Sequence, residues 1–237
     1  SDSRKEEFDY IVAADGVYSR TKEILFKKEG TPNYFNSIAL RGNIQNFENL
    51  DISLYLGSNF HFVIYPINQN NEFNFISIVR KKLIESEITN RSLFKDKSFI
   101  NNLMSQISSK SDLNLTELVN EVKCFPIFVS KKIKIPSNKN IFLMGDAFFS
   151  FPPSFAQGAS QSIESANDLF NDLNNNLSNY YKKRVLKTKQ INSRSSINHY
   201  AFHIANPVSV FFRNIFLKYL SKNKSFLENY LGKIYKN

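Results

Sequence analysis

Apolar residues fall in short runs at the start of the chain, in alternation through its middle and at helical spacing toward its end. Phe8 to Ala14 (FDYIVAA) is too short for a helix and rich in β-formers, which predicts a strand buried on both faces, as in a parallel sheet. Asp15-Gly16 breaks the run, and Ser19 then caps a helix reaching Phe26. From Phe35 to Arg80 the pattern predicts strands at Ser37 to Ile44, Ile52 to Leu56, Phe60 to Pro66 and Glu72 to Arg80, with a turn at Asn68 to Asn71. This stretch reads as an antiparallel sheet with faces of unequal polarity, one able to floor a pocket while the other meets helices or water.

Residues 95 to 122 read as helical, with Phe99, Leu103, Met104 and Ile107 at helical spacing and a second short helix from Leu115 to Val122. Cys124 to Val129 is another strand, and Ile141 to Met144 (IFLM) is a short apolar one that ends at Gly145-Asp146. Beyond Pro152-Pro153, a helix from Gln157 to Leu173 is expected to bury the face carrying Ile163, Ala166, Leu169, Phe170 and Leu173. Three further helical stretches complete the chain.

The 237 residues, 42% hydrophobic and 14% aromatic, suffice for a substantial core and argue against disorder. Cys124 is the lone cysteine, so no internal disulfide forms, and with only three histidines a four-ligand zinc site of the usual kind is excluded. Seven glycines, none closer than the twelve positions from Gly30 to Gly42, exclude GxGxxG, the P-loop and GxSxG, each of which needs two glycines within about six positions.

The net charge of +10 belongs to one tail: residues 178 to 237 hold twelve Lys and Arg against one acid, Glu228. These charges follow helices without an RNP or zinc-finger pattern, so a solvated helix face is favoured and no nucleic acid is expected. The most apolar late stretch, Val208 to Leu220, contains Arg213, Asn214 and Lys218 and falls short of the roughly 18 apolar residues of a membrane span. The first residues lack a signal-peptide core, which points to a cytoplasmic protein.

Two features carry chemistry. AADG (13 to 16) and MGDA (144 to 147) each place a carboxylate beside a glycine where a buried-type strand ends. Ligands of open α/β sheets bind at such ends, where a carboxylate can accept sugar hydroxyls and a following helix N-terminus can face an anion.

The segment GDAFFSFPPSFAQGASQSIESANDL, residues 145 to 169, resembles the GDAAHxxPPxxGQGxNxxIEDAxxL fingerprint of FAD-dependent aromatic hydroxylases. Gly145, Asp146, Ala147, Pro152, Pro153, Gln157, Gly158, Ile163, Glu164, Ala166 and Leu169 match without a gap. DYIVAADGVYSRTK, residues 9 to 22, is similar to the family's DxxxxADGxxSxxR at Asp9, Ala14, Asp15, Gly16 and Ser19. LRGNI (40 to 44), HFVIYPI (61 to 67) and NFISIV (74 to 79) resemble segments of the substrate domain in salicylate-hydroxylase-like members. The chain departs from the family at Phe149, Ala156, Ser160 and Ser165, where His, Gly, Asn and Asp are usual, and at Lys22 in place of Arg. Ala156 is expected to strain or reshape its loop, where glycine would be free.

The resemblance implies an α/β fold of four parts: residues 1–34 and 130–177 from a Rossmann-like FAD-binding domain, an inserted antiparallel β-sheet substrate domain at 35–129, and basic C-terminal helices at 178–237. The family's N-terminal GxGxxG unit is missing, so a fragment is expected, with on the order of 100 to 150 residues preceding Ser1. The implied activity is hydroxylation of a phenolic or other aromatic compound with NAD(P)H and O2, through a flavin C4a-hydroperoxide.

By the same resemblance Asp146, beside Gly145, binds the ribityl chain of FAD. Asp15-Gly16 lies near the pyrophosphate and the transient NAD(P)H, and the Gln157-Gly158-Ala159 amides face N1 and C2=O of the isoalloxazine. Pro152 and Pro153 shape the loop beside the flavin. His61 and Tyr65, four apart on one strand, share a face and could assist phenol deprotonation; packing roles compete. Arg41 could hold a substrate carboxylate or make a surface ion pair. His199 and His203, at i and i+4, read as ordinary helix-face histidines. Two alternatives are a ubiquinone-biosynthesis-type hydroxylase, whose basic tail contacts a membrane peripherally, and a degenerate flavoprotein that binds a partner or aromatic ligand without turnover.

Overall fold

A computed structural model describes residues 5–68, 70–173, 177–230 and 232. In chain order the elements are β1 (Ile11–Ala13), α1 (Arg20–Phe26), β2 (Asn33–Gln45), β3 (Ser53–Gly57), β4 (Phe60–Pro66), β5 (Glu72–Arg80), α2 (Glu85–Thr89), α3 (Lys97–Ser108), α4 (Leu115–Leu118), β6 (Asn120–Val129), β7 (Ile141–Leu143), α5 (Gly158–Leu173), α6 (Ser178–Phe202), α7 (Pro207–Leu220) and α8 (Lys224–Tyr230). Every element predicted from the pattern forms, β4 and β5 with the predicted ends and most others with ends displaced by a few residues; the helix read from Leu115 to Val122 stops at Leu118, and Asn120 to Val122 belong to β6. The chain divides into two compact units, residues 1–33 with 128–195 and residues 34–127 with 196–237. The block 178–237, read above as one set of helices, is thus shared between the two.

In the first unit β1 and β7 pair in parallel, Ala13 opposite Leu143, and the Met144 N–H donates to the Ala13 carbonyl. Ala13, Leu143, Phe148 and Phe149 form a small core with Leu25, Phe26 and Val185 packed on it. The expectation that β1 is buried on both faces fails: Ile11 is 50% exposed and Val12 is exposed as well. Among the described residues the strand has one neighbour, in a sheet of two strands, so its apolar run outstrips the cover it receives.

The face expected to be buried on α5 is also corrected. Ile163 is 73% exposed and Phe170 is exposed, whereas Gln161, Ser165, Leu169 and Asp172 are buried. The reason is α6, which presents polar groups to that side. The Arg184 guanidinium, 3% exposed, reaches Asp168 at 3.1 Å and Gln161 Oε1 at 2.8 Å, and the Ser165 and Tyr180 hydroxyls lie 2.9 Å apart. Charge and hydrogen-bond complementarity, which a hydrophobicity pattern cannot register, sets the rotation of the helix.

The second unit holds a five-stranded sheet in the order β3-β4-β5-β2-β6, with β3–β4, β4–β5 and β5–β2 antiparallel. Ile38, Leu40, Phe60, Phe62, Ile64, Phe73 and Phe75 project from one face against Leu103, Met104 and Ile107 of α3. Cys124 is buried in this core, which pushes its thiol up to about 12 and keeps it unreactive. Among the described residues no helix is long and apolar enough to cross a membrane.

Candidate functional site

In the first unit the pairing of Ala13 with Leu143 brings Asp15 and Asp146 to the carboxyl ends of adjacent parallel strands. Gly16 takes φ +78, which turns the chain from β1 toward α1, and the Ser19 hydroxyl caps that helix by accepting from the Lys22 N–H at 2.9 Å. The Asp15 carboxylate is also drawn to this end, accepting from the Thr21 N–H at 3.1 Å and its hydroxyl at 3.2 Å. Partial burial opposes its ionisation, but bonds from Ser19 and Thr21 outweigh that and hold it below the usual carboxylate range.

Asp146 lies in a 3-10 turn after β7. Burial raises its pKa, and the positive charge of Lys22 pulls it back down. Lys22 is 4% exposed, and its ammonium donates to the Phe148 carbonyl at 2.9 Å and to the Ser130 hydroxyl at 3.1 Å. Desolvation lowers it to about 8, with Asp146 opposing. It stands where the fingerprint has arginine, and it joins α1 to the Gly145-Asp146 turn, a role the sequence pattern did not announce.

Gly145 is required twice over. Its φ is +55, and a Cβ there would come within 2.6 Å of the Ser162 hydroxyl on α5. After buried Pro152 and exposed Pro153, Ala156 adopts φ +52 and ψ 30, the left-handed conformation glycine would take. Of the two expected outcomes the structure shows strain: the alanine itself holds the left-handed turn. Half-buried Gln157 accepts the first intrahelical bond of α5 from the Gln161 N–H, so the amides of Gly158 and Ala159 precede the helical ladder at an exposed N-terminus. A carboxylate able to accept sugar hydroxyls and a helix N-terminus of small residues able to face an anionic ring form a donor set that fits a flavin.

In the second unit Arg41, His61 and Tyr65 stand on the sheet face turned away from α3. The cross-strand pairs Arg41–Ile76, His61–Ile78, Tyr65–Asn74 and Asn43–Asn74 all belong to that face. The Asn74 amide donates to the Tyr65 hydroxyl, so Arg41, Asn43, Asn74 and Tyr65 make a polar band, in which Arg41 is exposed. Asn43 and Asn74 were not singled out from sequence, because isolated asparagines in strands carry no signal until the register pairs them.

His61 is corrected. It is buried, with Nδ1 2.9 Å from His203 Nε2, while His203 Nδ1 lies 3.2 Å from His199 Nε2. Burial, then the nearby His199, depresses His61 to about 3. So weak a base does not remove a phenolic proton of pKa near 10. His199 and His203 are likewise buried rather than solvent-facing, and all three histidines of the chain form one line of neutral rings.

A family model described as FAD binding domain matches residues 3–198. No curated protein sequence matches the chain. Among solved structures, HpxO of Klebsiella pneumoniae, complexed with FAD and uric acid, is 15% identical with a TM-score of 0.75 over 96% of this chain and 60% of that one. A salicylate hydroxylase substrate complex is 15% identical with a TM-score of 0.70, covering 90% and 60%. The 2,6-dihydroxypyridine-3-hydroxylase of Arthrobacter nicotinovorans is 15% identical with a TM-score of 0.66, covering 87% and 62%. The chain thus spans about three-fifths of the length of these proteins and shares their fold. With the family match extending over most of the sequence, and both strand-end aspartates inside it, the chain belongs to the FAD binding domain family.

Proposed function

We propose that this chain is the FAD-holding and substrate-facing part of a monooxygenase that hydroxylates a small aromatic compound with NAD(P)H and O2. The observation that carries the reading is the convergence of Asp15 and Asp146 at adjacent parallel strand ends, with the N-terminus of α5 packed against the Gly145 turn. A bound flavin supplies the electron transfer and oxygen activation, which no side chain of the chain provides.

Asp146 would accept hydrogen bonds from the ribityl hydroxyls, and Lys22 favours its ionised form. The Gly158 and Ala159 amides, beside Gln157, would stabilise negative charge on the pyrimidine edge of the ring. Asp15-Gly16 would lie toward the pyrophosphate, and Pro152-Pro153 would hold the loop between turn and helix. On the sheet of the second unit, Arg41 would pair with a carboxylate or other anionic group on the substrate. Tyr65, its hydroxyl accepting from Asn74, would donate to an oxygen on the ring. Uric acid and salicylate, bound or acted on by the similar structures, are small aromatic anions of the kind this band suits. Residues 1–34 and 130–177 form the flavin-binding part in this reading, and residues 35–129 the substrate part.

The test is flavin retention and turnover. Protein mixed with FAD and passed through gel filtration should stay yellow. Asp146→Asn should weaken retention roughly 10- to 100-fold, the range for losing a charge-assisted hydrogen bond. Aromatic carboxylates should accelerate NAD(P)H oxidation, and Arg41→Gln should raise KM for them more than it lowers kcat. A colourless protein that still binds aromatics would instead favour the binding module without turnover.

One observation favours a lipid-borne ring, as in quinone biosynthesis. Val208, Phe211, Phe212, Ile215, Phe216 and Tyr219 form a single stripe on α7, each 52–67% exposed, with Arg213, Lys218 and Lys222 beside it. Such a face suits the interface of an anionic membrane. Flotation with anionic but not zwitterionic vesicles, lost in Phe211→Ser/Phe216→Ser, supports this version, and equal behaviour on both lipids refutes it.

A further inference from the structure

The second unit contains a cavity of about 420 Å³ on the α3 side of its sheet, apart from the polar band. Asn36, Asn59, Arg80, Lys81, Lys82 and Lys110 line it, and no lining residue is acidic. Among the described residues none of the four cations has an ion-pair partner. Two backbone features fix the site. Asn36 and Asn59 take φ +49 and +69, and their carbonyls accept from the Lys81 N–H at 2.9 Å and the Arg80 N–H at 2.8 Å. These bonds hold the end of β5, so that the chain from Arg80 to Lys82 passes along the cavity, and Lys110, just beyond α3, lines it as well. The positive charges of Lys81, Lys82 and Lys110 around one concavity repel each other and focus a positive field into it.

We propose that this cavity binds a phosphate-bearing small molecule, with a pyrophosphate or comparable polyanion bridging Lys81, Lys82 and Lys110. The lysines supply point charges for phosphate oxygens, and the amides of Asn36 and Asn59 can donate to the same group. The volume accommodates a nucleotide-sized ligand. The site also has an internal reporter. Arg80 leaves β5 on the face of His61 and its positive charge bears on both His199 and His203, so an anion held next to it by Lys81 and Lys82 changes the environment of two of the three histidine rings in the chain.

The experiment titrates the whole chain with inorganic pyrophosphate and, separately, with ADP, by calorimetry in buffer free of other multivalent anions. Saturable binding is expected, with displaced ring signals of His199 and His203 in nuclear magnetic resonance. Lys82→Glu/Lys110→Glu should weaken binding roughly 10- to 100-fold, with an unchanged melting temperature and unchanged FAD retention. Tighter binding of ADP than of pyrophosphate identifies a nucleotide ligand, and equal affinity a phosphate group alone. Wild-type affinity in the double variant, unmoved histidine signals, or a response that only tracks ionic strength overturns the proposal. Loss of pyrophosphate binding together with FAD retention would assign the effect to the flavin site and overturn it too.

Discussion

Replacing Lys22 with methionine separates the cost of burying a charge from the bonds that charge makes. The ammonium is 4% exposed and is lowered from 10.5 to about 8, first by desolvation and against the pull of Asp146. Below pH 8 both folded and unfolded chains hold the proton, and the full cost of burial weighs on the fold. Between about 8 and 10.5 the folded protein releases the proton while the unfolded chain keeps it, so stability rises with pH. The gain is up to about 1.4 kcal/mol per pH unit, roughly 3 kcal/mol across the window. Methionine keeps the stem but has no proton to release, and it leaves the buried Phe148 carbonyl without its donor, at a cost of about 1–3 kcal/mol. Urea denaturation followed by circular dichroism should therefore show wild-type stability rising relative to the variant from pH 8 to 10, with a smaller rise between pH 7 and 8. A difference that stays constant or moves toward the variant over that upper range would refute the account of Lys22.

Ala156→Gly should remove a left-handed strain of roughly 1–2 kcal/mol while adding about 0.4–1 kcal/mol of unfolded-state entropy. The net rise in melting temperature is about 1–4 °C by calorimetry, and Ala156→Val should melt below wild type. Arg184→Met should destabilise the first unit by roughly 3–5 kcal/mol, because Asp168 and Glu164 lose a buried counter-charge; a neutral result in denaturant melts would show that the α5–α6 contact rests on packing.

The strands of the sheet and the helix caps were legible because they are local. Alternation at Glu72–Arg80 and the hydroxyl of Ser19 act within a few residues and need no partner. The two aspartate turns were legible for the same reason, since each lies in a short segment whose residues touch one another. His61 read as a pocket residue because its partner, His203, lies 142 positions away. Lys22 read as a mere replacement because its acceptor, Phe148, is 126 positions away.

The sequence by itself determined which segments are strands and helices, and that carboxylates follow β1 and β7. Tertiary structure alone decided which faces of those elements are covered: α5 turns its acids and Gln161 toward Arg184 and leaves Ile163 in solvent, and the three histidines close into a single line. The physical reason is that periodicity reports the average water affinity of a face, whereas burial depends on the particular groups brought opposite it by the folded chain.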